Sequence, residues 1–124
     1  MDAIWQKMAK MSNNDAILEA FVDFSCEVSV IVARNFDGKS VAFPVVENQH
    51  ENHILRETIA PANVSDSIKK QAEDAALKIA DGIGLVGVLA IEMFVTKDDK
   101  ILVNELAPRP HNSGNLINER NFKF

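Results

Sequence analysis

The chain has 124 residues, of which 47% are hydrophobic and 25% are charged, and this composition is typical of one globular domain. Its formal net charge of −5 argues against a nucleic-acid partner, because proteins that bind nucleic acids present basic surfaces. The longest apolar run, Leu85–Ile91, is too short to span a membrane, and the single cysteine fits a reducing compartment, so we expect a cytoplasmic protein without a membrane partner.

The first half of the chain predicts a helix followed by short strands. Apolar residues recur at helical spacing over Met1–Met11. The Asp37-Gly38 pair is typical of a hairpin turn, and Glu47–Asn52 is expected to form a polar loop. Strands are predicted from apolar and β-branched runs at Ala16–Val22, Val28–Ala33, Ser40–Val46 and Ile54–Ile59.

The second half predicts one helix and a final hairpin. Either Ser65 or Asp66 caps the helix, which continues to Gly82 with an apolar face. Two strands follow, Leu85–Val95 and Ile101–Leu106. Hairpins around a helix indicate an α+β domain, mainly an antiparallel sheet with packed helices.

Glu92 and Glu105 are isolated acids within the last two apolar runs. A four-residue turn would place Glu92 opposite Val103 and Glu105 opposite Ala90, so that the acids are diagonal neighbours on one face, roughly 7–8 Å apart. An odd turn would reverse this parity, and Asn104 is expected on the opposite face unless a bulge intervenes. Two such carboxylates suit Mg²⁺, which prefers oxygen ligands. The alternative is that each Glu faces solvent.

A compact polar loop follows the last strand. Prolines on both sides stiffen the backbone around Arg109, whose guanidinium suits bidentate binding of an anion. His111 suits proton transfer near neutral pH, and Asn112 adds a neutral donor. The alternative is a turn in which Arg109 pairs with a surface acid. His50, upstream, is by itself more typical of a solvated side chain.

A series of short motifs extends from about Ile17 to Gly114. They are Glu19-Ala20-Phe21-Val22, Glu27-Val28-Ser29-Val30-Ile31, Ala33-Arg34, Phe43-Pro44, Glu47-Asn48-Gln49-His50, Val86 to Phe94, and Asn104 to Gly114. In this order they resemble the N5-carboxyaminoimidazole ribonucleotide synthases, which are ATP-grasp enzymes of purine biosynthesis. The resemblance implies an ATP-grasp subdomain fold and a ligase that uses ATP and bicarbonate to carboxylate 5-aminoimidazole ribonucleotide through carboxyphosphate.

The resemblance also implies roles for individual residues. The residues expected to contact ATP are Glu19, Ala20, Phe21, Val22, Glu27, His50, Asn104 and Glu105. Those expected to hold Mg²⁺ are Glu92 and Glu105, with Asn104 beside them. Those expected to line the bicarbonate and carboxyphosphate region are Arg109, His111 and Asn112.

We expect residues 1–115 to form a partial ATP-grasp domain and residues 116–124 a poorly ordered tail. The family's upstream α/β domain, its phosphate-binding lysine and its C-terminal domain have no counterpart here, so the isolated chain is expected to have little or no synthase activity. The family also suggests a homodimer. The alternatives are a catalytically dead folded fragment, a self-associating domain, or a segment of the related formate-dependent glycinamide ribonucleotide transformylase, which typically has Asp and Thr where this chain has Asn112 and Ser113.

Overall fold

The computed structural model describes residues 19–52 and 54–112, together with Gln6 and Ile17. The predicted helix over residues 1–11, apart from Gln6, and the predicted tail over residues 116–124 lie outside the described residues. The elements in chain order are β1 (Phe24–Arg34), β2 (Ser40–Ala42), β3 (Val46–Glu51), β4 (Ile54–Ile59), α1 (Asp66–Gly82), β5 (Gly87–Thr96) and β6 (Ile101–Ala107).

The described strands form one antiparallel sheet with the order β4-β3-β1-β5-β6. β1 is central because it pairs with β5 along its whole length on one side. On its other side it pairs first with β3 and then with the short β2. The predicted α+β class with a mainly antiparallel sheet is therefore confirmed.

Helix α1 covers one face of this sheet. Ser65, rather than Asp66, is its N-cap, and the Ser65 hydroxyl accepts a hydrogen bond from the Ile68 amide at 3.3 Å. The buried helix residues recur every four positions: Ile68, Ala72, Ala76 and Ala80. The small alanines let the helix lie close to the sheet. Helix α1 is not long and apolar enough to cross a membrane.

The hydrophobic core lies between α1 and alternate residues of the two central strands. These are Val28, Val30 and Val32 of β1 with Leu89, Ile91, Met93 and Val95 of β5. Because side chains alternate along a strand, the intervening residues of β1 and β5 lie on the opposite face of the sheet. That second face carries the candidate site.

The end of α1 is tied to the β1–β2 hairpin. Arg34 Nε donates to Asp81 Oδ1 at 2.9 Å, and Arg34 Nη1 donates to the Leu85 carbonyl at 2.8 Å. Ser40 Oγ also donates to Asp81, at 3.0 Å. The hydrogen bonds from Arg34 and then Ser40 hold the pKa of Asp81 below its ordinary value.

Three sequence predictions for the first half are wrong. The strand predicted over Ser40–Val46 ends at Ala42, and the loop predicted over Glu47–Asn52 is mostly the strand β3. β3 forms despite its polar side chains because β1 and β4 pair with it on both sides. Residues 19–22 of the strand predicted over Ala16–Val22 are not in a strand, since β1 begins at Phe24.

Candidate functional site

The β5–β6 hairpin sets the relative positions of the two acids. In its turn the Thr96 amide donates to the Lys100 carbonyl at 2.9 Å, and the Thr96 hydroxyl donates to Asp98 at 2.6 Å. The hydrogen bond from Lys100, reinforced by that from Thr96, lowers the pKa of Asp98 to about 2. Val95 consequently pairs with Ile101. Five residues, 96–100, therefore separate this pair, one more than the predicted four.

A second irregularity in this hairpin brings the acids together. The pairing skips Asn104, so that Glu92 lies directly opposite Glu105. The predicted partners, Val103 for Glu92 and Ala90 for Glu105, are wrong because both the turn and this bulge shift the register by one residue. Two shifts of one residue preserve the parity of a strand, so the acids still share one face.

The face of the sheet away from α1 forms an open cleft of about 880 Å³. Glu27, Asn48, His50, Glu92 and Asn104 are among its lining residues. They come from β1, β3, β5 and β6, so the cleft crosses the centre of the sheet. Asn104 lines this cleft together with Glu92 because the five-residue turn places it on this face, and the bulge then keeps Glu105 there as well.

The side chains of Glu27 and His50 are in contact in this cleft. Glu27 of β1 pairs in register with Asn48 of β3, and His50 is two residues beyond Asn48, on the same face. The imidazole Nδ1 contacts Glu27 Oε2, and both side chains are partly exposed. His50 is therefore not the solvated loop residue that its polar surroundings in the sequence indicate.

A smaller cavity of about 420 Å³ adjoins the first. Its lining includes four of the residues predicted to contact ATP: Glu19, Ala20, Phe21 and Val22. Phe24 and Asn104 line both cavities, so the two are neighbours. The rings of Phe24 and Phe94 are stacked, with centroids 4.5 Å apart, and form an apolar wall suited to a planar aromatic ligand.

Only part of the polar loop after β6 reaches the acids. His111 Nδ1 lies 3.6 Å from Glu92 Oε1, and both side chains are largely buried, at 11% and 16% exposure. Arg109 is exposed, and its Nη1 donates to the Pro110 carbonyl at 3.2 Å. Asn112 is also exposed, and Ser113 lies outside the described residues. Arg109 therefore remains available for an external anion.

Sequence reasoning assigned no role to Ser29 or Asn48, two buried polar residues on this face of the sheet. Ser29 is fully buried, and its hydroxyl accepts a hydrogen bond from Asn48 Nδ2 at 2.5 Å. The signal was present in the sequence, because Ser29 is a polar residue inside the apolar run of β1, as Glu92 is in β5. Cys26 also lines the cleft, and burial, with smaller contributions from Glu47 and Glu27, raises the pKa of its thiol.

The acid pair fits a magnesium ion that is shared with a ligand. Glu92, Glu105 and the neighbouring Asn104 amide offer the oxygen donors that this cation prefers. No group of three or more His, Cys, Asp or Glu side chains within residues 19–52 and 54–112 is arranged to hold a metal alone. Mg²⁺ commonly completes its shell with water and phosphate oxygens, so a two-carboxylate site is suited to a metal–phosphate complex.

Comparison with known proteins identifies the class. The ATP-grasp domain matches residues 1–119, and the chain therefore belongs to the ATP-grasp domain family. It is similar to the N5-carboxyaminoimidazole ribonucleotide synthase of Bacillus subtilis (strain 168), with 51% identity over 109 residues that make up 88% of this chain and 29% of that protein. It is also 50% identical to the bifunctional purine synthesis protein purC/E of Dictyostelium discoideum, over 92% of this chain and 12% of that protein.

Solved structures agree with these relatives. An ADP complex of an N5-carboxyaminoimidazole ribonucleotide synthetase superposes with a TM-score of 0.79 and 50% identity, covering 88% of this chain and 29% of the other. The Aspergillus clavatus synthase in complex with ADP and 5-aminoimidazole ribonucleotide gives a TM-score of 0.77 and 34% identity, covering 91% and 30%. The predicted resemblance is confirmed, and the chain spans less than a third of the length of each of these relatives.

Proposed function

We propose that this chain supplies the nucleotide-binding and magnesium-binding part of an N5-carboxyaminoimidazole ribonucleotide synthase. The observation that carries the proposal is the direct opposition of Glu92 and Glu105, beside Asn104, on the cleft face of the sheet, next to the cavity lined by residues 19–22. Similar chains in solved structures are described as complexes with ADP, which supports a nucleotide in this cleft. We place this function in the cytoplasm, in line with the single cysteine.

Each of the two cavities would hold a different part of the nucleotide. The adenine base would lie in the smaller cavity, against the stacked Phe24 and Phe94 and the backbone of residues 19–22. Glu27, already paired with His50, would accept hydrogen bonds from the ribose hydroxyls. The phosphates would then extend across the sheet toward Glu92 and Glu105. This direction follows from Asn104, which lines both cavities.

The proposed reaction has two steps. A bicarbonate oxygen attacks the γ-phosphorus of ATP, breaking its bond to ADP and giving carboxyphosphate. The amine of 5-aminoimidazole ribonucleotide then attacks the carboxyl carbon, phosphate leaves with the electrons of the C–O bond, and the amine loses a proton. When bound, Mg²⁺ supplies positive charge that offsets the charge of the phosphate oxygens.

The chain's own residues would hold the reacting groups in place. Glu92 and Glu105 would bind the cation between β5 and β6. His111, 3.6 Å from Glu92, is close enough to donate a hydrogen bond to an oxyanion held beside the acids. Arg109 and Asn112 would complete the binding of bicarbonate and carboxyphosphate. We expect these 124 residues alone to bind nucleotide with little or no synthase turnover, because they correspond to less than a third of the synthases that they match.

Calorimetric titration with ADP, with and without Mg²⁺, tests the proposal. Wild type should bind ADP more tightly when Mg²⁺ is present. In the presence of Mg²⁺, the affinity of Glu105→Ala for ADP should be lower than that of wild type by about tenfold or more. Glu57→Ala is the matched control, because Glu57 is an exposed strand acid that does not line the cleft. Equal Mg²⁺-dependent binding by wild type and Glu105→Ala, or no binding by wild type, would contradict the proposed site.

Self-association through β6 is a second candidate, and it matches the homodimer that the family suggests. β6 ends the sheet formed by the described strands, and Leu102, Val103 and Leu106 on it are 43%, 46% and 43% exposed. An edge strand with exposed apolar side chains favours pairing with another copy. Light scattering should show a dimer that Val103→Lys disrupts and that Val41→Lys, on the short strand β2, preserves. A monomeric wild type would contradict this candidate.

A further inference from the structure

A row of polar residues crosses all five main strands of the sheet on the cleft face. Its members, from one edge to the other, are Thr58, Asn48, Ser29, Glu92 and Glu105, on β4, β3, β1, β5 and β6 respectively. Thr58 lies opposite Asn48, Ser29 lies opposite Glu92, and Glu92 lies opposite Glu105. Asn48 reaches Ser29 diagonally, since its own partner in register is Glu27.

The hydrogen bonds of this row have one direction. Thr58 Oγ1 donates to Asn48 Oδ1 at 3.2 Å, and Asn48 Nδ2 donates to Ser29 Oγ at 2.5 Å. The Ser29 oxygen is therefore used as an acceptor on the β3 side. A serine hydroxyl also carries one hydrogen to donate, and the neighbouring residue on the other side is the carboxylate of Glu92.

Burying these polar side chains costs free energy of folding unless each of them is hydrogen-bonded. Ser29 is 0% exposed and Asn48 is 4% exposed, so neither side chain can satisfy its hydrogen bonds with water. Glu92 is itself only 16% exposed, and a carboxylate with so little access to water needs hydrogen-bond donors to be held in one orientation.

We propose that Ser29 is a positioning residue for Glu92: its hydroxyl, polarised by Asn48, donates to one Glu92 oxygen and fixes the rotamer that presents the other oxygen to the cation. This inference rests on the proposed function, because it assumes that Glu92 binds metal. Residues that orient a metal-binding carboxylate typically change metal affinity by about 10–100-fold when removed. The Asn48 side chain would act through Ser29.

Binding of Mn²⁺ in the presence of ADP, followed by the electron paramagnetic resonance of free Mn²⁺, tests the inference on the full chain. We expect Ser29→Ala to weaken Mn²⁺ binding by roughly tenfold. Ser29→Thr, which keeps the hydroxyl, should stay within about threefold of wild type. Thr58→Val is the matched control: it cuts the same row farther from Glu92 and should lower the melting temperature without changing Mn²⁺ affinity.

Ser29→Cys fills the space of serine but is only a weak donor, so it replaces Ser29→Ala if the alanine variant does not fold. Unchanged Mn²⁺ affinity in Ser29→Ala or Ser29→Cys, or an equal loss in Ser29→Thr, would overturn the positioning role. If Glu105→Gln loses Mn²⁺ while the Ser29 variants retain it, the proposed function stands and only this inference fails. If wild type does not bind Mn²⁺ with ADP, both fail together.

Discussion

Replacing Glu105 with glutamine is expected to stabilise the metal-free chain while weakening its response to Mg²⁺. Glu92 and Glu105 are directly opposite in the β5–β6 hairpin, and like charges at such positions are unfavourable. Two unit charges about 6 Å apart repel by ~0.7 kcal/mol in water and by ~2.8 kcal/mol at an effective dielectric constant of 20. Because Glu105 is exposed, the lower value applies. For a domain of this size it raises the melting temperature by about 3 °C.

Mg²⁺ with ADP should reverse the order of the two proteins. A ligand at 100 times its dissociation constant stabilises the folded state by ~2.7 kcal/mol, which corresponds to a rise of about 10 °C in wild type. Glu105→Gln keeps the shape of the side chain but loses one of the two carboxylates, so its rise should be much smaller. The predicted crossing of the two melting temperatures separates a binding site from a pair of surface acids.

Differential scanning fluorimetry in EDTA, and then in Mg²⁺ with ADP, measures both effects. Glu57→Gln controls for the loss of one charge from an acidic protein, since Glu57 faces Gln49 rather than an acid. A melting temperature of Glu105→Gln in EDTA equal to or below that of wild type would refute the electrostatic reasoning. An equal Mg²⁺-dependent rise in both proteins would refute the role of Glu105 as a metal ligand.

Three further predictions concern the helix that covers the other face. Ser65→Ala removes the N-cap of α1 and should cost about 1 kcal/mol in urea unfolding, whereas Ser65→Asp should cost little. Ile68→Ala empties a site that is 1% exposed and should cost about 2–5 kcal/mol by the same measurement. Asp81→Asn should lower the melting temperature at pH 7. Hydrogen bonds from Arg34 and Ser40 lower the pKa of Asp81, so the difference in melting temperature between wild type and Asp81→Asn should narrow as the pH falls below 3.8, the ordinary pKa of this carboxyl.

The helix and the last hairpin could be predicted from the sequence because their patterns are local. Apolar residues repeat at helical spacing from Ile68 to Ala80, and two apolar runs flank a short polar turn at Lys97. The strand β3 could not be predicted in this way. Its side chains are mostly polar, and it forms a strand because it pairs with β1 on one side and with β4 on the other. The partner β1 is separated from it by β2, so this pairing is not visible in the local sequence.

The placement of the two acids shows how a site can be located while its geometry is wrong. A simple count along the hairpin puts Glu92 and Glu105 on one face but gives them the wrong partners. The length of the turn depends on the hydrogen bonds of Thr96, and the bulge at Asn104 depends on the whole ladder. Neither is visible as a residue pattern, and they leave the face unchanged only because together they shift the register by two.

The bulge also explains why a polar row can cross the sheet at this place. Without it, the hairpin turn would pair Asn104 with Glu92 and would direct Glu105 to the face that α1 covers. The bulge therefore keeps Glu105 on the cleft face with Glu92, and the Asn104 amide lies beside them. Since the core face contributes most of the apolar burial, polar substitutions there should unfold the chain. On the cleft face, apolar replacement of Ser29 or Glu92 should leave the fold intact and weaken metal binding.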